Sequence, residues 1–491
     1  MSDLTRIALV NLAYLLITLI IGWLAWRRTT TTAEDYFLGG RAARTFVLFM
    51  ALFGTNVTPF VLLGIPGLSY HHGVGIFGLN AAIVGLGIPL TFWLIGDPAR
   101  RAALRIGAIT PAELYAQRFA SPAVGHLLFL AFFAYTLPYM VTGVIGVGLT
   151  VEILTRGAVS FAAAAALVLA ITIAYTALGG MRATMWTNVF QGATFMVFIL
   201  VAFALIAGDL GGLAAATAAV AERAPHLLVK GDAPQFTPGH WGSWALAISL
   251  TVIAFPHMLV RMFAARDTAA LKNVARLYPL VLVLLWLPAV LFGVWGAAEF
   301  PGLAGRASDG IFPRMVAAHL GPVLQGMALA GVLAAVMSTL DAQLLTLSSM
   351  LTRDVVRRVR PGMSGAGEVA TGRLFTLGLS LAVLEIALQR PASIFDIAAF
   401  AFSGYVTLVP TLLLGLRWRR CTATGAVASI LAGNIALLLA QFGVLPALGG
   451  VLPVAWGLLA AIAGAVLGSL ATRPTDPAVV ARVLGPIRAT P

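Results

Sequence analysis

The chain has 491 residues, of which 60% are hydrophobic and only 10% are charged. Soluble domains carry about 25% charged residues, so this composition excludes a soluble enzyme and predicts an integral membrane protein. The 31 Lys and Arg residues exceed the 18 Asp and Glu residues, but they lie between apolar runs, which disfavours nucleic-acid binding. The single cysteine, Cys421, excludes an internal disulfide.

Thirteen apolar runs follow one another along the chain, and each is long enough for a helix to cross a bilayer. They lie near residues 7–26, 46–70, 74–96, 122–154, 158–178, 183–208, 241–264, 277–298, 321–351, 371–389, 394–416, 424–443 and 451–472. We number them spans 1 to 13. The sequence thus predicts an all-α polytopic membrane protein whose residues 1–491 form a single transmembrane domain.

The distribution of basic residues predicts the orientation in the membrane. If the N-terminus lies outside, most of the 31 Lys and Arg residues fall in segments on the cytoplasmic side. This bias is the one that the positive-inside rule describes. We therefore expect a multi-pass protein of the plasma (inner) membrane, with the short tail 473–491 in the cytoplasm.

Two spans are interrupted by residues that break helices. Span 2 contains Gly54 and Pro59, and span 7 contains Pro256 in its middle. Interrupted spans at matching positions of two halves indicate a transporter binding site. Because spans 2 and 7 are five apart, repeats formed by spans 2–6 and 7–11 must have opposite orientations. The predicted inverted repeats cover residues 33–208 and 241–416, and the alternative is two unrelated proline kinks.

Six separate stretches resemble one family, the sodium:solute symporters. They are AEDYFLGGR (33–41), LLGIPG (62–67), ITPAELYAQRF (109–119), YTALGGMRATMWTNVFQG (175–192), FPHMLVRMFAARD (255–267) and MSTLDAQLLTLSSMLTRD (337–354). The fifth stretch is most similar to the sodium/proline and monocarboxylate branches. The resemblance covers roughly residues 33–440 and implies the leucine-transporter-like fold of two inverted five-helix repeats.

The resemblance also implies a sodium site between span 9 and the break in span 2. Its ligands would be the carbonyl oxygens of Gly54, Val57 and Ala335 and the hydroxyls of Ser338 and Thr339. The three span-9 positions are i, i+3 and i+4, which lie on one face of a helix. Oxygen ligands are the ones that a hard cation prefers. Sodium is the only metal expected, and no cofactor is expected.

Three polar residues near this site need separate interpretation. Asn56 and Asn188 stand where related sequences carry aspartates, and an amide offers an oxygen without a charge. Both changes favour one sodium ion over two. Asp341 is then the chief acidic group of the core, and it either supports the ion site together with Asn188, takes a proton, or only fixes helix packing.

A cavity for the solute is expected between the two breaks, near the middle of the membrane. The predicted lining residues are Asn56, Thr58, Phe60, Val252, Phe255, Phe402, Tyr405 and Thr407. Differences from the proline branch at Ile248, Val252 and Thr58 disfavour proline. Matching sugar-binding residues are absent from the sequence. A small carboxylate or amino-acid-like solute fits best, because half-helix N-termini attract a carboxylate.

The sequence thus predicts a secondary active transporter, and not an enzyme, that couples sodium to uptake of a small organic solute by alternating access. Its partners would be the solute, Na⁺ and the lipid bilayer, with no nucleic acid; the oligomeric state stays open. One alternative is a proton-coupled symporter that uses Asp341 or His257. Another is a sensor built on a transporter core, which the short tail after residue 472 disfavours.

Overall fold

The computed structural model describes residues 1–29, 32–56, 58–446 and 449–485, without the side chains of residues 33 and 81–84. Within these residues the chain is almost entirely helical. The only β-type pairing among them is an isolated bridge between Ala43 and Ala265. The predicted all-α class is therefore confirmed.

Among the described residues, ten helices are long and apolar enough to cross a membrane, and two bent helix pairs raise the number to 12. In chain order the spans are Asp3–Trp26, Thr45–Asn56 with Phe60–His72, Gly75–Ile106, Pro122–Leu154, Phe161–Asp209, Pro238–Ala254 with Pro256–Phe263, Thr268–Glu299, Pro322–Val359, Gly365–Gln389, Ile394–Arg417, Ala423–Gln441 and Pro453–Leu470. Shorter helices connect or follow them at Ala33–Leu38, Pro111–Arg118, Leu213–Arg223, Ile311–His319 and Pro477–Leu484.

The helix Phe161–Asp209 comprises two spans. Its 49 residues would extend about 70 Å, more than twice the hydrocarbon thickness of a bilayer. Gly180 interrupts it with φ 55° and ψ −149°, a conformation that only glycine adopts without strain. A Cβ at this position would also collide with the carbonyl oxygen of Tyr36. Dividing the helix at Gly180 gives spans 5 and 6 and brings the number to the thirteen predicted.

The two predicted interruptions appear as sharp bends. Span 2 bends by 51° between Asn56 and Phe60, and span 7 bends by 50° between Ala254 and Pro256. In span 7 the cause is local: Phe255 adopts ψ 120°, because the residue before a proline avoids the helical conformation. Each break leaves backbone groups that need other partners in the membrane core.

Span 9 lies at the centre of the bundle. Its most apolar stretch is 83% buried, whereas the corresponding stretches of spans 1, 10 and 13 are each 28% buried. Span 9 packs against spans 1, 5 and 6 and also contacts the first half of span 2 and the second half of span 7. A buried helix that touches both broken spans can contribute side chains to a site between them.

Candidate functional site

Span 9 places two hydroxyl groups against the first half of span 2. The Ser338 hydroxyl donates to the carbonyl oxygen of Gly54 at 2.8 Å and to that of Ala335 at 3.0 Å. The Thr339 hydroxyl donates to the carbonyl oxygens of Thr55 at 3.1 Å and Ala335 at 3.0 Å. Both side chains are buried. The structure thus brings four of the five predicted sodium ligands together.

The fifth predicted ligand, Val57, lies outside the described residues. The carbonyl of Thr55 joins the others, although the sequence analysis did not select it. Span 6 packs on the same segment, because a Cβ at Gly54 would meet the Asn188 carbonyl oxygen at 3.4 Å, an ordinary van der Waals contact. The result is a compact set of neutral carbonyl and hydroxyl oxygens, a donor set that suits a monovalent hard cation.

Asp341 lies two residues beyond Thr339 and is fully buried. Its Oδ1 is 3.3 Å from Nη2 of Arg261, and this guanidinium is also buried, with 1% of its side chain exposed. The hydroxyl of Tyr175 donates to Asp341 Oδ2 at 3.1 Å. A pair of opposite charges in the membrane core is stable only when its remaining polar atoms are also bonded. Asp341 therefore belongs to a polar cluster beside the predicted sodium ligands.

A small cavity lies between the breaks of spans 2 and 7. Its wall consists of Asn56, Phe60, Val61, Ile88, Tyr139, Ile248, Thr251, Val252, Phe255, Leu282, Trp286 and Phe402. These residues include five aromatic rings and no charged side chain. About 30 Å³ is open to the centre of a water-sized sphere, which is room for about two water molecules. A cavity of this size is too small for an organic solute and must widen to admit one.

Five of the predicted solute residues line this cavity: Asn56, Phe60, Val252, Phe255 and Phe402. Thr58 lies directly behind the wall, where its hydroxyl oxygen accepts hydrogen bonds from the Tyr139 hydroxyl at 3.0 Å and from the Phe60 amide at 3.3 Å. Thr58 can therefore act on the solute through Tyr139 or after a rearrangement.

The structure does not place Tyr405 and Thr407 on the cavity wall. The Tyr405 hydroxyl bonds to that of Thr136 at 2.6 Å, and its ring packs edge-on against Phe255. Thr407 bonds to the carbonyl of Gly404, and its methyl side packs at the contact of spans 12 and 13. Both residues therefore lie outside the candidate solute site.

Sequence reasoning missed the residues that spans 4 and 8 contribute. Tyr139 follows a proline in the middle of span 4, and Trp286 lies among leucines in span 8. Both aromatic rings line the cavity. Their signal in the sequence is weak, because neither span is interrupted and a buried apolar helix does not reveal which face meets a cavity.

His257 lies at the start of the second half of span 7. Its ring stacks on Phe255 with 5.1 Å between centroids. Neither ring nitrogen has a hydrogen-bond partner among the described residues. No group of three or more His, Cys, Asp and Glu side chains in the described parts of the chain could hold a metal ion. The oxygen set around Ser338 and Thr339 is thus the candidate cation site.

Comparison with known proteins identifies relatives that match most of the chain. The model of the "Sodium:solute symporter family" matches residues 36–433. A sodium/proline symporter of Haemophilus influenzae is 31% identical over 441 residues, which is 86% of each chain. A sodium/pantothenate symporter of Escherichia coli is 29% identical over 432 residues, covering 86% of this chain and 88% of the relative.

Solved structures share the fold. A Na⁺-coupled sialic acid symporter, in a substrate-bound outward-open state, matches with a TM-score of 0.80 at 18% identity, covering 96% of this chain and 99% of that one. A nucleobase-cation-symport-1 family transporter in a closed conformation matches with a TM-score of 0.60 at 15% identity, covering 89% and 95%. At these identities the likeness supports the fold alone.

Proposed function

The chain belongs to the sodium:solute symporter family, and from that premise we propose that it couples one Na⁺ to the uptake of a small carboxylate with an apolar body. Members of this family are transporters and not enzymes, as the sequence analysis expected. Membership of the family supports sodium-coupled symport of a small solute across a membrane. The ion site, the solute class and the orientation form the proposal.

The observation that supports the ion site is the meeting of the Ser338 and Thr339 hydroxyls with the carbonyls of Gly54 and Ala335. A sodium ion bound there would replace the hydroxyl-to-carbonyl hydrogen bonds with ion–oxygen contacts. The ion would then join span 9 to the first half of span 2, whose far end at Asn56 faces the solute cavity. This connection gives the ion a means to favour the solute-binding form of the break.

The solute class follows from the cavity wall. Its five aromatic rings and aliphatic side chains suit an apolar body, and it offers no charged partner within the described residues. The half-helix that begins at Pro256 has no side-chain cap, and the positive end of its dipole, next to the cavity residue Phe255, favours a carboxylate. Proline and pantothenate, for which the two relatives are named, are both carboxylates and are the first probes.

We also propose that residues 33–208 and 241–416 form inverted repeats and that the N-terminus lies outside. Two bends of nearly equal angle, one in each proposed repeat, support the first statement. The excess of basic residues in alternate connecting segments supports the second. Movement of one repeat relative to the other around a fixed site would then give alternating access.

The test is uptake into proteoliposomes that contain the purified protein. Small carboxylates and amino acids, with proline and pantothenate among them, are supplied under an inward sodium gradient, and matched vesicles receive a proton gradient without sodium. The expected result is sodium-driven uptake of at least one carboxylate. Uptake driven by protons alone would favour the proton-coupled alternative, for which the unpartnered nitrogens of His257 are the supporting observation.

A further inference from the structure

The polar cluster beside the proposed sodium site is electrically balanced by the protein itself. Asp341 supplies one negative charge, and Arg261, from the second half of span 7, supplies one positive charge at 3.3 Å. Both side chains are buried among helices that cross the membrane, where a cation from solution would otherwise be the natural partner of a carboxylate. Arg261 is attached to the chain and cannot be exchanged.

Asn188 completes the cluster from span 6. In the orientation that satisfies its neighbours, its amide oxygen accepts hydrogen bonds from both terminal nitrogens of Arg261, at 2.7 and 3.0 Å. Its amide nitrogen donates to Asp341 Oδ2 at 3.0 Å and to Gln191 Oε1 at 3.0 Å. The neutral amide thus bridges the two charged groups and adds no charge of its own.

This cluster lies beside the residues that carry the proposed sodium ligands. In the same orientation the amide oxygen of Asn188 lies 3.3 Å from the backbone carbonyl oxygen of Ser338 and 3.3 Å from the hydroxyl oxygen of Thr55, as a neighbour and not as a hydrogen-bond donor. A carboxylate at position 188 would therefore add a negative charge beside Ser338 and Thr55, whose hydroxyl and carbonyl oxygens, respectively, belong to the proposed cation site. In a buried environment such a charge attracts a cation much more strongly than it would in water.

We propose that Arg261 is the residue that sets the number of coupling ions. Its guanidinium acts as a tethered cation that neutralises Asp341, and together with the uncharged Asn188 it leaves no net negative charge for a second mobile cation. Arg261 is thus a specificity-determining residue for the coupling ion. The inference rests on the proposed sodium site and adds an account of why one ion suffices.

The experiment counts sodium ions bound by the purified full-length protein. Equilibrium binding of radioactive ²²Na⁺ gives the number per chain, and the sodium dependence of thermal unfolding gives an independent measure, because a bound ligand stabilises the folded protein. For the unaltered chain we expect one ion. For Asn188→Asp we expect two, with a steeper sodium dependence of the unfolding temperature.

Two further variants serve as controls. Asn80→Asp makes the same chemical change at another buried asparagine, which bonds to Trp244 and not to the cluster, and it should still bind one ion. The double variant Arg261→Gln/Asp341→Asn removes both charges together and should also bind one. If the single change at position 188 prevents folding, Arg261→Gln alone exposes the charge of Asp341 and should bind two.

The outcomes separate the two proposals. If the unaltered chain binds no sodium, the proposed sodium coupling is wrong. If it binds one and folded Asn188→Asp or Arg261→Gln also binds one, the sodium site stands and the role of Arg261 is wrong. If the unaltered chain already binds two, Arg261 does not limit the number of ions.

Discussion

At the scale of single residues, the sodium site depends on two hydroxyl groups. Changing Ser338 and Thr339 together to alanine removes both hydroxyl oxygens from the proposed ligand set. Loss of one interaction with a charged group costs about 1.5–3 kcal/mol, so we expect the apparent sodium constant to rise by at least about tenfold. The measurement is the initial rate of uptake against sodium concentration.

The same helix offers a matched control for this change. Ser348 and Ser349 are also buried, and their hydroxyls bond only to carbonyls of their own helix. Alanine at both positions removes two hydroxyls without touching the proposed ligands, so the sodium constant should stay near that of the unaltered chain. Equal shifts in the two double variants would mean that the span-9 hydroxyls act on packing and not on the ion.

Thr58 is expected to act on the solute rather than on the ion. Thr58→Ala removes the acceptor that holds the Tyr139 hydroxyl at 3.0 Å behind the cavity wall. If that hydroxyl then fails to meet the solute carboxylate, the apparent solute constant should rise by roughly one to two decades, while maximal uptake changes less. Solute dependence of uptake is the measurement, with Thr172→Ala in span 5 as a buried control.

Asn56→Asp is expected to act on the ion, in contrast to Thr58→Ala, which is expected to act on the solute. The added carboxylate lies at the end of the first half of span 2, beside the ion site, and should change the sodium constant. A grid of uptake against solute and sodium distinguishes the two variants. If both variants shift both constants equally, the division of roles between Thr58 and Asn56 does not hold.

At the scale of helices, the joint between spans 5 and 6 depends on one glycine. Alanine at Gly180 would combine a positive φ of 55° with a collision against Tyr36. Strain of this kind costs about 1–3 kcal/mol, so Gly180→Ala should lower the unfolding temperature in detergent. Gly208→Ala, near the end of the same helix and with nothing within 4 Å, should not lower it, because alanine favours a helix more than glycine does.

A second helix-scale feature responds to pH. His319 lies between Asp209 at 2.7 Å and Glu299 at 2.6 Å and joins the ends of spans 6 and 8 to the start of span 9. Burial by itself would lower the pKa of His319, but the hydrogen bonds and charges of the two carboxylates outweigh it and raise the pKa. Both ring nitrogens face acceptors, which only the protonated ring can satisfy.

The sign of the pH dependence follows from the raised pKa. The stabilisation is complete below the ordinary histidine pKa and is lost as the pH rises through the folded pKa. His319→Gln should therefore lower the unfolding temperature more at pH 5.5 than at pH 8.5. We expect a contribution of about 1 kcal/mol or less, because one of the carboxylates is exposed. His226→Gln, at an exposed histidine, is the control for removal of a histidine elsewhere in the chain.

At the scale of the whole molecule, hydropathy and helix-breaking residues were enough to predict the spans and the two bends. The i, i+3, i+4 spacing was enough to place Ser338 and Thr339 on one face. The sequence could not predict that the Thr407 side chain faces spans 12 and 13 and not the cavity. A helix that is apolar on all sides does not indicate which neighbour each face meets. The spacing of residues in the sequence also does not show which side chains of different helices pair with each other, as Arg261 and Asp341 do.

The orientation of the molecule can be tested with single cysteines. Cys421 is fully buried and cannot report on either side, so it is first replaced by serine. Cysteine is then placed at Ala304, in the segment between spans 8 and 9, or at Val359, the last residue of the helix that forms span 9; both positions are exposed. An impermeant maleimide distinguishes the two sides of the membrane in intact and permeabilised cells.

The distribution of basic residues determines the expected result. Four arginines lie from residue 353 to residue 360, at the C-terminal end of the helix that forms span 9, where the positive-inside rule places the cytoplasm. Ala304→Cys should therefore react in intact cells, and Val359→Cys only after permeabilisation. Because the two positions lie at opposite ends of span 9, they must report opposite sides if that helix crosses the membrane once. The reverse pattern would invert the whole orientation, and reaction of both in intact cells would mean that span 9 does not cross the membrane.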